Sequence, residues 1–221
     1  MKKERKKDVF LGIVLLLAFV IWTFLIQAVD MQTVGVCGTD IGFATFNKWF
    51  HGVTGVHMSV YYITDWLGLV PLFVCMFFGG VGLVQLIKRK SLFKVDYDII
   101  LLGVYYGIVI AGYLIFEMIP INYRPILIDG VLEASYPSST TLLVLSVMPT
   151  LAFQANRRIK NVEVKMVVRV LSVLFSAFMV IGRLLSGVHW FTDIVGAVLL
   201  SAGLFYFYKA TVLLYEKERT L

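Results

Sequence analysis

The stretch Gly182-Arg183-Leu184-Leu185-Ser186-Gly187-Val188-His189-Trp190-Phe191-Thr192-Asp193 places two cations and a carboxylate in a chain that otherwise reads as membrane-spanning. A helix from about Val188 onward puts His189 and Asp193 at i and i+4 on one face. A carboxylate there can hold one imidazole nitrogen and leave the other free to attack. Arg183 lies six residues before His189, across a glycine-containing turn, and its planar fork of donors suits phosphate oxygens. The trio reads as nucleophile, orienter and anion clamp. The pair alone equally suits an interfacial histidine and a helix-start carboxylate.

Two further stretches carry anion chemistry. Tyr123-Arg124-Pro125 sets a guanidinium beside a rigid proline. Tyr136-Pro137-Ser138-Ser139-Thr140-Thr141 stands just before an apolar run. Proline at a helix start followed by hydroxyl residues leaves backbone N–H groups pointing outward, a ready anion site, although the same residues also make an ordinary helix cap.

These residues need elements to carry them. Of 221 residues 59% are apolar and 15% charged, which points to a polytopic membrane protein in one domain over 1–221. Hydropathy predicts an all-α bundle of six spans at about 9–29, 66–87, 99–118, 138–153, 166–181 and 191–208. The first is too long for a signal-peptide core and reads as a retained span. Between spans one and two, 30–65 forms the longest polar stretch, with Phe43, Phe46, Trp49 and Phe50 at helical spacing. That spacing predicts a short interfacial helix. Cys37 and Cys75 have neither metal nor CxxC spacing.

Six spans put both termini on one side, and charge says which. Of the 20 Lys and Arg, 17 fall in the head, the tail and the two connections on the termini's side, leaving Lys48, Arg124 and Arg183 opposite. The positive-inside rule makes both termini cytoplasmic in a plasma membrane and turns the site outward. The net charge of +6 is thereby accounted for by a bilayer partner, with no nucleic acid implied. Oligomeric state is left open, because the glycines of spans two and three serve packing within one chain equally well.

Taken together, the three stretches resemble the signature of the type-2 phosphatidic acid phosphatase superfamily: Lys-x6-Arg-Pro, Pro-Ser-Gly-His and Arg-x5-His-x3-Asp. In the third motif Arg183, Gly187, His189 and Asp193 match, with Gly182 where the family usually has serine. In the first, Arg124-Pro125 match and Glu117 holds the lysine position. In the second, Pro137 and Ser138 match, Ser139 replaces glycine and Thr140 replaces histidine. The resemblance implies a six-span membrane lipid phosphatase in which His189 attacks phosphorus and forms a phosphohistidine that water hydrolyses. It further implies that Asp193 orients His189 and that Arg124, Arg183, Ser138, Ser139 and Thr140 hold the phosphate, with no metal or other cofactor.

The departures refine the expectation. Thr140 cannot act as the proton donor that the family's second-motif histidine supplies, a loss of about 10²–10⁴-fold where the leaving group needs a proton. A prenyl phosphate leaving a diphosphate needs none, so a polyprenyl diphosphate such as undecaprenyl diphosphate is the favoured substrate. His51 or His57, on the same face, is the expected substitute acid. Glu117 repels an anion unless it pairs with Arg124 or meets an amine-bearing headgroup, which makes it the expected selector of headgroup. The alternatives are a degenerate member that binds or moves a phospholipid or polyprenyl carrier, and a phosphotransferase with altered headgroup choice.

Overall fold

The computed structural model describes residues 2–218; Met1 and, in the basic tail, Arg219 lie outside them. The chain is all-α, with helices α1 (Lys2–Ile26), α2 (Ala44–Thr54), α3 (Met58–Leu67), α4 (Leu69–Arg89), α5 (Tyr97–Met118), α6 (Ser139–Arg158), α7 (Val162–Leu185) and α8 (Phe191–Glu218). A two-stranded ribbon, β1 (Gln32–Thr33) against β2 (Asp40–Ile41), is antiparallel with Gln32 opposite Ile41.

Five stretches are long and apolar enough to cross a bilayer: Glu4–Ile26, Met58–Arg89, Tyr97–Met118, Val162–Leu185 and Phe191–Glu216. The expected fourth span is the helix α6, which is too polar to join them. Its polar groups are met by neighbours instead of lipid, as a helix in a bilayer requires. Tyr106 shares a hydrogen bond with Thr150 at 2.8 Å, and Gln154 donates to Tyr208 at 2.6 Å. Ser146, Thr150 and Gln154 are all buried, because α4, α5, α7 and α8 surround α6.

The second span begins at Met58, earlier than the expected Trp66, and runs through Gly68 with only a one-residue break. Thr64 and Asp65 disguised it. The Thr64 hydroxyl donates back to Val60 and Tyr61 carbonyls at 2.9 Å each, and Asp65 faces Arg183, so neither polar group ends the helix. Within the polar stretch, Phe46, Trp49 and Phe50 are carried by a short helix, α2. It is pinned to the start of α8 by buried Asn47, which donates to Thr192 Oγ1 at 3.0 Å, while Trp49 and Val53 remain exposed.

Helix α1 packs along α8, so the beginning and end of the described chain lie side by side. Asp8 meets Lys209 at 3.1 Å near one end, and Trp22 donates to the Thr192 carbonyl at 3.1 Å near the other. At the Asp8 end, Arg158 bridges Asp96 at 3.1 Å and Asp98 at 2.8 Å, and Arg157 reaches Glu216 at 3.1 Å. These pairs join the start of α5 to the ends of α6 and α8.

Candidate functional site

The connection from α5 to α6 is a hairpin, not an open loop. Asp129 and Gly130 both have positive φ, the backbone a type I′ turn needs, and Ile128 bridges Val131 while Tyr123 bridges Ala134. The two bridges are two residues out of step, and the outer one sets Arg124 opposite Glu133, whose carbonyl accepts from the Arg124 N–H at 3.1 Å. The same hairpin carries Ser135 back toward the α7–α8 turn.

That turn is built on Gly187, at φ 72°, where a Cβ would stand 2.2 Å from the Gly55 carbonyl oxygen. Only glycine fits such a turn and such an approach. His189 therefore lies in the turn, and α8 begins at Phe191, so the expected helical face shared by His189 and Asp193 is not formed. They meet differently. His189 Nδ1 is 3.8 Å from Asp193 Oδ2, beyond hydrogen-bond distance, and 3.1 Å from the Ser135 carbonyl oxygen.

A carbonyl only accepts, so Nδ1 carries the proton and Nε2 keeps its lone pair. The orienter of the imidazole is thus the Ser135 carbonyl in place of the expected Asp193. Asp193 has another task. Its carboxylate accepts from Asn122 Nδ2 at 3.1 Å and from the Trp190 N–H at 2.9 Å, and its carbonyl accepts from the Ser138 N–H at 3.2 Å. It ties the hairpin, the turn and the start of α6 together. Trp190 adds a further tie, donating from Nε1 to the Tyr123 carbonyl at 2.8 Å.

Both arginines converge on the Tyr61 ring, with Arg124 5.9 Å and Arg183 5.0 Å from its centroid. Arg124 Nε sits 3.0 Å from Glu133 Oε2, and Arg183 Nη1 3.8 Å from Asp65. Of the two alternatives for Glu117, pairing with Arg124 is not formed, because Arg124 pairs with Glu133. Arg183, His189 and Arg124 are only 1%, 4% and 8% exposed, yet Arg183 Nε, His189 Nε2 and Arg124 Nη1 are buried without a hydrogen-bond partner. Burial first, then the Arg183 and Arg124 charges, hold the His189 imidazole well below its ordinary pKa, against the opposing pull of the Ser135 carbonyl. At neutral pH it is an uncharged base.

A pocket of about 160 Å³ brings His189, Arg124, Ser139 and Glu117 together with Tyr113, Phe116, Glu133, Ser135 and Tyr136. Ser138 is the N-cap residue of α6, but its hydroxyl donates to Thr141 at 3.0 Å and its N–H is committed to Asp193. The expected phosphate contact from Ser138 is therefore lost to local bonding. No side chain caps the first-turn N–H groups of α6, which leaves them available to an anion. Thr140 faces away from the pocket, into an apolar groove of about 400 Å³ lined with Asp65, Gly68, Leu72, Tyr113, Ser139 and Leu143.

His51 and His57 do not reach the site. His51 Nε2 bonds the Gly187 carbonyl at 3.0 Å and its ring lies 5.5 Å from Trp190, whereas His57 Nε2 bonds the Thr54 carbonyl at 2.9 Å. Each ring nitrogen facing a carbonyl must donate, so His51 braces the turn from outside. Neither lines the pocket, and the expectation of a substitute acid from this loop is not met. Gly182, where the motif usually has serine, explains itself: a Cβ there would stand 2.6 Å from Thr64 Cγ2, so α3 packs too closely for a larger residue.

The elements that carry Glu117, Arg124, the α6 start, Arg183, His189 and Asp193 fall within one matched region. Residues 117–215 match the PAP2 superfamily. The PAP2 region begins on Glu117 itself and includes each of the three motif stretches. The whole fold is similar to the crystal structure of a transmembrane PAP2-type phosphatidylglycerolphosphate phosphatase from Bacillus subtilis. The TM-score is 0.67 at 17% identity, covering 91% of this chain and 96% of that one. No curated protein matches the chain.

Asn122, Glu133 and Ser135 are site residues that the motifs did not disclose. For Glu133 the sequence signal misleads: counting outward from the Asp129-Gly130 turn pairs Arg124 with Ser135, and the pairing with Glu133 follows from the Tyr123–Ala134 bridge, which is two residues out of step with the Ile128–Val131 pair. Ser135 acts through its carbonyl, which every residue has, so its identity carries no such signal.

Proposed function

We propose that this chain is a PAP2-type protein that hydrolyses or transfers the phosphoryl headgroup of a membrane lipid, through a phosphohistidine on His189, at the extracytoplasmic face of a plasma membrane. One observation carries the reading: the buried, unpartnered Arg124 Nη1, Arg183 Nε and His189 Nε2. Buried donors and lone pairs are rarely left unmatched, and two donors beside one lone pair suit equatorial phosphoryl oxygens and a phosphorus atom.

In this reading His189 Nε2 attacks phosphorus while its Nδ1–H stays bonded to the Ser135 carbonyl. The imidazole gains positive charge as the N–P bond forms and the bond to the leaving oxygen breaks. Arg124, Arg183 and the first N–H groups of α6 hold the equatorial oxygens, a site that works mainly by placement and charge. Water then attacks the phosphohistidine and returns the free imidazole. The apolar groove beside the pocket shares Tyr113 and Ser139 with it, and takes the hydrocarbon chain.

Two substrate classes compete. With Thr140 turned away and His189 the single histidine among the residues lining the pocket, a leaving group that departs unprotonated is favoured, as from a polyprenyl diphosphate. Glu117 and Glu133 at the same pocket favour altered headgroup choice. The sidedness is supported by Arg89, Arg157, Arg158 and Lys209 gathering at the end of the bundle away from His189.

The test is phosphate release by purified protein across lipid mono- and diphosphates, with acid-labile phosphate on His189 measured in parallel. Turnover on at least one lipid with a trapped phosphohistidine, absent in His189→Ala, is the expected result. Lipid binding without any phosphoenzyme would make the chain a carrier or binder of phospholipid or polyprenyl phosphate.

A further inference from the structure

We propose that the phosphoryl pocket selects an aminoalkyl phosphate: a headgroup whose ammonium is held by Glu117 and Glu133 while His189 and the arginines take its phosphoryl group. The inference rests on the phosphoryl site above and follows the branch of altered headgroup choice.

The argument begins with charge. Leaving aside Asp193, which is committed to Asn122 and Trp190, two guanidiniums face three carboxylates: Glu133 at 3.0 Å from Arg124, Asp65 at 3.8 Å from Arg183, and Glu117. A phosphoryl dianion alone would enter a site whose fixed charges already sum to a negative value. A ligand that brings its own cation removes the mismatch. The carboxylates are also placed to receive one. Glu117 makes no hydrogen bond or ion pair among the described residues, and Glu133 spends only Oε2 on Arg124.

The walls fit the same ligand. Tyr113, Phe116 and Tyr136 line the pocket beside the two carboxylates, and ring faces attract ammonium groups. The cage is held rigid by its own packing: Phe116 and Tyr136 meet edge-to-face at 5.6 Å, and both pack on Phe19. His189 and Arg124 line the same pocket, with His189 Nε2 and Arg124 Nη1 buried and unpartnered. One concave site thus presents phosphoryl-seeking and ammonium-seeking groups together. Its volume of about 160 Å³ is below the roughly 300–1,000 Å³ of sites that take drug-sized ligands, which suits a headgroup with the chain left outside.

A metal ion is the other source of positive charge. Among the described residues no group of three or more His, Cys, Asp or Glu side chains is placed to hold one. An ammonium needs no such set.

The experiment uses the full chain in maltoside micelles. Calorimetric titration compares O-phosphoethanolamine, glycerol 3-phosphate and inorganic phosphate. A second arm compares phosphatidylethanolamine with phosphatidylglycerol of identical chains. The expected result is about tenfold tighter binding of the amine-bearing probe over its glycerol counterpart, roughly one charge-assisted contact. Preference in the soluble arm alone identifies a free ester, and in the lipid arm alone a lipid headgroup; either supports the inference. Glu117→Gln and Glu133→Gln, with unfolding temperatures checked, should each shrink the preference toward unity without weakening inorganic phosphate.

Equal or weaker binding of the amine probes overturns the inference. So does a loss in Glu117→Gln that is uniform across all probes. Amine-blind binding of glycerol 3-phosphate that still depends on His189 leaves the phosphoryl site standing and removes only the ammonium side. Binding of no probe, unchanged in His189→Ala, removes both.

Discussion

The two ends of the bundle treat the same kinds of side chain in opposite ways. At the end holding the tail of α8, Arg157 and Arg158 have Asp96, Asp98, Glu216 and the Tyr97 hydroxyl as partners, and Arg158 also reaches Gln154. At the His189 end, Arg124 Nη1, Arg183 Nε and His189 Nε2 are more enclosed and have no hydrogen-bond partner. The first arrangement fastens helices to one another. The second leaves hydrogen-bonding capacity for something that is not part of the chain. Burial of charge therefore does not mark function; burial without a partner does.

The largest test of that contrast is substitution at each end. His189→Ala should lower phosphate release by at least about 10⁴-fold, and Arg124→Gln by about 10²–10³-fold. Asp98→Ala, which leaves two arginines short of a carboxylate, should retain turnover and lose about 1–3 kcal/mol of stability. Phosphate release and thermal unfolding on the same samples check all three. Comparable losses of turnover in Asp98→Ala and Arg124→Gln would erase the distinction.

A smaller effect sharpens the view of how the site end is held. Gly182→Ser restores the residue usual in the motif, yet should destabilise by about 1–3 kcal/mol through overpacking on Thr64. Adding Thr64→Ser removes the offending methyl, keeps the hydroxyl near Arg183, and should recover most of the loss in unfolding temperature. No recovery would place the strain elsewhere.

The smallest effect is a separation in pH. His189 has a depressed pKa when folded, so its contribution to stability is complete above about 6.5 and is lost as pH falls toward the folded value. Asp96 is also depressed: burial opposes this, but donors from Arg89, Arg158 and Gln85 prevail. Its contribution is complete above about 3.9 and declines only below that. Unfolding temperature followed from pH 8 to 3 should show a shallow loss beginning near 6.5, missing in His189→Ala, and a second loss in acid, missing in Asp96→Asn. Formation of the phosphoenzyme should stay level down to about pH 6.5, because the imidazole is already neutral there.

Much of this was legible in the sequence, unevenly. The spacing of Arg183, His189 and Asp193 pointed to a candidate site, but not to its internal wiring, since the histidine's partner is a backbone carbonyl delivered by a hairpin. Helix α6 announced its start through Pro137-Ser138-Ser139 and concealed its position through its polarity. Hydropathy measures contact with lipid, and α6 is surrounded by protein. His51 and His57 were legible as residue types that do chemistry, and it took coordinates to show their ring nitrogens facing carbonyls. Glu133 was hidden even with Asp129-Gly130 in view, because the hairpin slips by two residues between the Ile128–Val131 and Tyr123–Ala134 bridges.

The side-by-side packing of α1 and α8 bears on how the molecule is made. The ribosome releases α1 well before α8 exists, and until α8 arrives the indole of Trp22 has no Thr192 carbonyl to meet and Asp8 no Lys209. The same late helix brings Asp193, which gathers the hairpin, the turn and the start of α6. A nascent chain interrupted before that helix lacks the residue that ties its centre together.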